Sequence, residues 1–304
     1  MTEVRESQSR KHIVTMIHGN LQDLCDLLTV TRTAAGMFLG GQPLEDRYRV
    51  YGGQFLGQGL LAACWDQPYP AHSLHAIFLR PGTPDTPIEY RVQNPDPTLT
   101  PTSLRTVSAR QNGRELFLMD VVLADFVPAD PQAAMKLAGP DKAIPREEGI
   151  RHLATNTQAS WANADSPFDN RFVENIWRDD YNQPGHHVWF RTRGSQPTSA
   201  TAGLTAQQMR QAVLAYYVDD TIMDNALFPG GWLTSWDTLE TASLDHCMWF
   251  HQDYHYDEWL LHDQDSPVAA HGRGLTRATV YTEDWRPVAS SYQEILMRLS
   301  AAQP

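Results

Sequence analysis

The sequence predicts an α+β fold made of two halves on one plan, each a curved antiparallel sheet wrapped around a central helix. Three observations predict it. The stretch VYGGQFLGQGLLAACW, residues 50 to 65, reads as a helix with almost no polar face, yet it holds Gly52, Gly53, Gly57 and Gly59, and each glycine costs a helix interior about 1 kcal/mol against alanine. Four β-rich runs follow it, and a helix followed by four β-rich runs recurs in the second half. Between the halves, Pro128, Pro131, Pro140 and Pro145 lie among Ala, Asp and Gly, a composition that resists a packed core. Residues 1–128 are read as one domain, 129–165 as a linker and 166–304 as a second domain.

In chain order, a short helix is expected at Leu21 to Leu28, then strand-like pieces at Gly36 to Leu39 and Tyr48 to Tyr51. The β runs after the glycine-rich helix are His72 to Arg80, Pro87 to Val92, Ser103 to Gln111 and Glu115 to Phe126, the last two joined by the hairpin signal Asn112-Gly113. The linker has room for a short helix near Arg146 to Thr157. The second half repeats the order with Arg171 to Trp177, His187 to Arg193, a helix, and runs at Thr241 to Phe250, Glu258 to Asp263, Gly272 to Thr282 and Pro287 to Met297. A tight turn from Glu283 to Arg286 stands where the first half has Asn112-Gly113. Thr205-Ala-Gln-Gln208 has the spacing of a capping box. Met209, Val213 and Tyr216 then form an apolar stripe on which Asp220 falls next.

The glycines need a reason. Gly53 and Gly57 are four apart and stack along one side of their helix, so that side is bare and a curving sheet can approach it closely.

Bulk composition narrows the function. A hydrophobic fraction of 41% and a charged fraction of 20% describe a globular protein. Twenty-four Lys and Arg against 36 Asp and Glu give a formal charge of −12, which argues against a phosphate-backbone partner such as nucleic acid. Cys25, Cys64 and Cys247 are odd in number and far apart, supporting neither a disulfide framework nor a CxxC metal site. No run of about 18 apolar residues occurs, and the first residues hold no apolar signal core. A cytoplasmic protein without a membrane span is expected.

The motifs themselves carry a resemblance. VYGGQFLGQGLLAA (50–63) resembles the helix motif of the acyl-CoA thioesterase II family, whose fold is a double hotdog. HSLHAIFLRPG (72–82) is similar to the strand motif that follows it there, and RQNGRELFLM (110–119) to its hairpin. HHVWFRTRGSQP (186–197), LDHCMWFH (244–251), EWLL (258–261), RG with YTED (273–284) and VASSYQE (288–294) continue the match in order. The resemblance implies an enzyme that hydrolyses fatty acyl-CoA to free fatty acid and CoA without a bound cofactor, as a homodimer or homotetramer. One departure precedes Arg105, where relatives usually carry Gly-x-Ser-Phe and this chain has Leu99-Thr100-Pro101-Thr102.

Thioester hydrolysis without a covalent intermediate needs a held water, a group to take its proton and donors for the developing oxyanion. The family supplies an Asp, a Ser or Thr, and a Gln, and the motif match puts these on Asp220, Ser243 and Gln293. Asp220 also has support from its place on an apolar stripe, where a carboxylate is costly to bury unpaired. Asp219 is its competitor, since a shift of one residue in the match exchanges them. Oxyanion donation is assigned to a backbone N–H of one of the two helices. No G-x-S-x-G elbow occurs for a serine-hydrolase route, and the glycine-rich stretch lacks the lysine of a phosphate loop. His246, His251 and His255 are not spaced to share one face, so no metal is expected. A hotdog enoyl-CoA hydratase and a non-catalytic acyl-CoA-binding module are the alternatives; the first wants an Asp and His close together at a helix start, the second a site stripped of its carboxylate or glutamine.

Overall fold

The computed structural model describes residues 17, 19–42, 49–94, 98, 103–125, 130, 135–150, 166–178, 180–195, 201–230 and 239–299. Leu99 to Thr102 and the segment after Ile150 in the expected linker helix lie outside them. Helix α1 (Leu21–Leu28) starts where expected, because Asn20 accepts from the N–H groups of Gln22 and Asp23 while Asp23 reaches back to the Asn20 N–H. Strands β1 (Val30–Ala34) and β2 (Met37–Gly40) precede helix α2 (Gly52–Cys64). Strands β3 (Ala71–Phe78), β4 (Glu89–Gln93), β5 (Ser103–Gln111) and β6 (Arg114–Leu123) follow it. Beyond them come β7 (Ile144–Pro145), helix α3 (Arg146–Ile150), β8 (Phe168–Phe172), β9 (Gly185–Thr192), helix α4 (Ala206–Tyr217) and helix α5 (Asp224–Leu227). The chain then forms β10 (Leu239–Ser243), β11 (Asp245–Phe250), β12 (Leu260–Ala270), β13 (Arg273–Thr282) and β14 (Pro287–Leu299).

Among the described residues the fourteen strands belong to one sheet, in the order β1-β2-β4-β5-β6-β3-β11-β14-β13-β12-β9-β8-β7, with β10 pairing β14 beside the path. Every strand pairing among the described residues is antiparallel, and β3 against β11 joins the two halves, Cys247 opposite His75. Reading outward from that seam, β3, β6, β5, β4, β2 and β1 on one side answer to β11, β14, β13, β12, β9 and β8 on the other. Helices α2 and α4 lie together inside, and one apolar core spans both halves, from Leu56 and Leu60 of α2 through Val213 and Tyr216 of α4 to Phe117 and Met248 of the sheet.

The glycines of α2 serve a different neighbour from the one expected. A Cβ on Gly53 would collide with the backbone carbonyl of Tyr216, and one on Gly57 would sit 3.0 Å from the carbonyl of Ala212. The bare side is therefore pressed against helix α4 rather than against the sheet. Gly59 turns toward the strands, toward Met119 and Phe117. The two polar residues of α2 find partners where they lie: Gln54 Nε2 donates to the carbonyl of Gly41, Gln58 Nε2 donates to the carbonyls of Leu27 and Gly41, and Gln58 Oε1 accepts from Tyr90.

Other expectations shift for local reasons. Arg49 to Tyr51 lie in no strand; Tyr51 has extended dihedrals because it is the N-cap of α2. The strand there is Val30–Ala34, exposed on four of its five residues, so no apolar alternation betrays it. In the second half Phe168–Phe172 alternates buried and half-buried residues, while Trp177 folds back onto Phe172 in a turn, ring centroids 4.6 Å apart. The long run at Thr241 to Phe250 breaks at Leu244, whose N–H donates to Glu294 while its carbonyl accepts from Phe78.

Candidate functional site

A cavity of about 240 Å³ opens where the N-terminus of α2, the end of α4 and the β10 strand converge. Ser243 lines it, together with Gly52, Phe78, Asp219 and Asp220.

Helix α4 explains which aspartate faces Ser243. Its capping box forms as read, Thr205 Oγ1 accepting from Gln208 N–H at 3.2 Å and Gln208 Oε1 from Thr205 N–H at 2.8 Å. The α-helix ends at Tyr217; the Val218 N–H still bonds the Leu214 carbonyl four residues back at 3.0 Å, whereas the Asp220 N–H bonds the Tyr217 carbonyl three residues back at 2.9 Å. Winding of that kind brings residues three apart into line, so the stripe of Met209, Val213 and Tyr216 continues at Asp219. The extrapolation to Asp220 assumed 3.6 residues per turn beyond the point where the helix stops.

Asp219 is 3% exposed, and Ser243 Oγ donates to its Oδ1 at 3.3 Å. Gln293 Nε2 donates to Ser243 Oγ at 2.8 Å. Burial pushes the Asp219 carboxyl up to about 7, against the pull of hydrogen bonds from the Gln293 amide, the Gly53 N–H and the Ser243 hydroxyl; the charge of Asp220 adds to the rise. The approach depends on Gly52, where a Cβ would stand 2.6 Å from Asp219 Oδ2. Tyr51 gives α2 no side-chain cap, so first-turn N–H groups that a helix cannot satisfy internally are left to acceptors such as Asp219.

Asp220 goes elsewhere. Its Oδ2 accepts from Arg146 Nη2 at 2.6 Å, the two side chains 7% and 5% exposed. Asp224 stands beside this pair, its carboxyl raised to about 8 by burial and by Asp220, with Arg146 opposing. Of the three residues read from the motifs, the structure thus brings Ser243 and Gln293 together and seats Asp219, not Asp220, against them. Arg146 had no signal in the sequence, since it lies 74 positions from its partner in a stretch read as linker.

Gln293 is fully buried behind Ser243, on the face of β14 that also buries Ala289, Ser291 and Ile295, as its alternation predicts. His246 Nδ1 lies 2.6 Å from Gln293 Oε1, whereas His251 turns to Ser290. Among the described residues no group of three or more His, Cys, Asp or Glu side chains is placed to hold a metal ion.

Comparison with known proteins locates the chain. Residues 169–296 match the family model described as acyl-CoA thioesterase, and residues 42–127 match the acyl-CoA thioesterase N-terminal domain. Acyl-CoA thioesterase 2 of Haemophilus influenzae is 29% identical over 294 residues, covering 92% of this chain and 98% of its own. Human acyl-coenzyme A thioesterase 8 is 29% identical over 273 residues, covering 83% and 81%. The crystal structure of an acyl-CoA thioesterase II from Mycobacterium marinum superposes with a TM-score of 0.70 at 28% identity, covering 92% of this chain and 98% of that one.

Proposed function

The chain belongs to the acyl-CoA thioesterase family, hotdog proteins with one large antiparallel sheet and few helices, and from that premise we propose that it hydrolyses acyl-CoA to a free acid and CoA with Asp219 as general base. The observation that carries the assignment is the buried Asp219 carboxylate hydrogen-bonded to Ser243 inside the cavity. A base poised near neutrality both takes a proton from water and returns it. In the proposed cycle a water held between Asp219 and Ser243 attacks the thioester carbon as its proton passes to Asp219. The carbon–sulfur bond then breaks, and the departing thiolate takes that proton to leave as CoA thiol. Gln293 holds the Ser243 oxygen in place from behind. A first-turn N–H of α2, at the positive end of the helix dipole, serves the thioester oxygen as it gains charge.

The double-hotdog reading belongs to the same proposal, with domains at 1–128 and 166–304 joined by 129–165. Its support is the mirrored strand order about the β3–β11 seam and the paired helices α2 and α4. Arg49 and Arg80 line the cavity and offer the substrate's phosphates positive charge on an otherwise acidic protein. The half-exposed Ile77 and Tyr292 on the outer sheet face suit a homodimer or homotetramer, which light scattering would test. Three free thiols suit the cytoplasm. Among the described residues no helix is long and apolar enough to cross a membrane.

Incubation with palmitoyl-CoA and a thiol-trapping dye tests the activity. Release of free thiol is expected. Hydration of crotonyl-CoA without thiol release would favour the hydratase instead, and neither reaction would leave a binding module.

A further inference from the structure

We infer that His246 is a positioning residue for the proposed hydrolysis, its Nδ1–H fixing the Gln293 amide so that the amide nitrogen faces Ser243 and Asp219. The inference rests on the proposed chemistry, but the geometry that carries it is independent of substrate. Gln293 Oε1 can only accept, so at 2.6 Å the ring nitrogen opposite it must carry the hydrogen. His246 is fully buried, and burial drives its pKa down to about 4. A neutral imidazole has one N–H, and that hydrogen is committed to Gln293. The other ring nitrogen, Nε2, has no hydrogen-bond partner among the described residues, so a proton placed there would be a buried donor with nothing to donate to, and Oε1 would face a lone pair.

The amide has two orientations, and the site needs only one of them. With Oε1 toward the cavity, the oxygen would oppose the Asp219 carboxylate and leave the Ser243 oxygen without the Gln293 N–H. With Nε2 toward the cavity, one group donates to Ser243 at 2.8 Å and also lowers the Asp219 carboxyl. His246 therefore selects the productive state from the far side. The break at Leu244 makes this possible: Ser243 and His246 are three apart, opposite in phase on an unbroken strand, yet both reach Gln293. His246, weighed from the sequence only as a metal ligand, thereby acquires a task within the LDHCMWFH motif.

Two substitutions separate this role from simple packing. Asparagine places an amide N–H where His246 Nδ1 stands, while glutamine places one near the Nε2 position. His246→Asn should keep kcat for palmitoyl-CoA within about threefold of wild type, and His246→Gln should lose about a hundredfold in kcat with little change in KM, the scale set by a misplacement of about 1 Å. Equal kcat in the two variants, at matched melting temperatures, would overturn the inference. Long-range ¹H–¹⁵N correlation spectra of the full chain, with the His246→Asn variant assigning the signal, supply a readout that needs no activity. The Nδ1–H tautomer is expected at pH 7, and the Nε2–H tautomer or a doubly protonated ring refutes the assignment. If wild type hydrolyses no thioester but the Nδ1–H tautomer is found, the proposed function fails and the lock on Gln293 stands.

Discussion

Replacing Asp219 by Asn should slow hydrolysis by about 10² to 10⁴ and make the folded protein more stable above neutral pH. Burial raises the carboxyl from its ordinary 3.8 to about 7, so the folded state holds this proton more tightly than the unfolded chain. The favourable contribution is complete below about pH 4 and is lost as pH rises through 7. Roughly three pK units at 1.36 kcal/mol each make the ionised carboxylate cost up to about 4 kcal/mol above pH 7. Asn escapes that cost while keeping an oxygen for the Gly53 N–H. Its amide cannot accept a proton from water, and loss of a general base lowers the rate by about 10² to 10⁴. Asp220→Asn should behave in the opposite way, because it removes the charge from the buried 2.6 Å ion pair with Arg146, a loss of up to about 3 to 5 kcal/mol. Urea denaturation at pH 5 and pH 8, with thiol release from palmitoyl-CoA at each pH, measures both effects. Wild-type kcat/KM should fall about tenfold per unit below pH 7 as Asp219 takes up its proton. The reasoning is refuted if Asp219→Asn turns over at near wild-type rate, or if its stability relative to wild type is the same at the two pH values.

Other outcomes follow from single contacts. Gly52→Ala should depress kcat strongly with a small change in melting temperature, because its Cβ meets Asp219 Oδ2; a variant of wild-type activity would show that the carboxylate need not sit there. Gly53→Ala meets backbone of α4 instead and should destabilise by about 1 to 3 kcal/mol, read from its denaturation midpoint. His262 is buried with both ring nitrogens unpartnered among the described residues, and desolvation lowers its pKa from 6.5 to about 3. The unfolded chain therefore binds a proton there as pH falls below 6.5 and the folded state does not, so His262→Leu should gain on wild type between pH 6.5 and 4 in urea titrations. Arg80→Gln should raise KM for acyl-CoA more than for an acyl-pantetheine lacking the nucleotide phosphates, and the gap should narrow in high salt.

Much of the fold was legible because its signals are local. Thr205 starts a helix with Gln208 three residues on, and Ser103–Gln111 with Arg114–Leu123 declare a hairpin through Asn112-Gly113. What failed to show were elements whose reason lies elsewhere in the chain. Val30–Ala34 is a strand by virtue of pairing with β2, not by its own pattern. The bare side of α2 announced a close approach, and only the packed structure reveals that α4 makes it.

By itself, the sequence determined two helices among antiparallel strands, a strand serine and a strand glutamine at matching motifs, and two adjacent aspartates after the second helix. Which aspartate meets the serine was decided by tertiary structure. A helix that stops at Tyr217 and tightens by one residue rotates Asp219 into the crevice, while a guanidinium from a distant segment draws Asp220 away. The physical reason is that burying a carboxylate depends on the partners that meet it, and those partners, Gly53, Ser243 and Gln293 for one and Arg146 for the other, are assembled only when the chain folds.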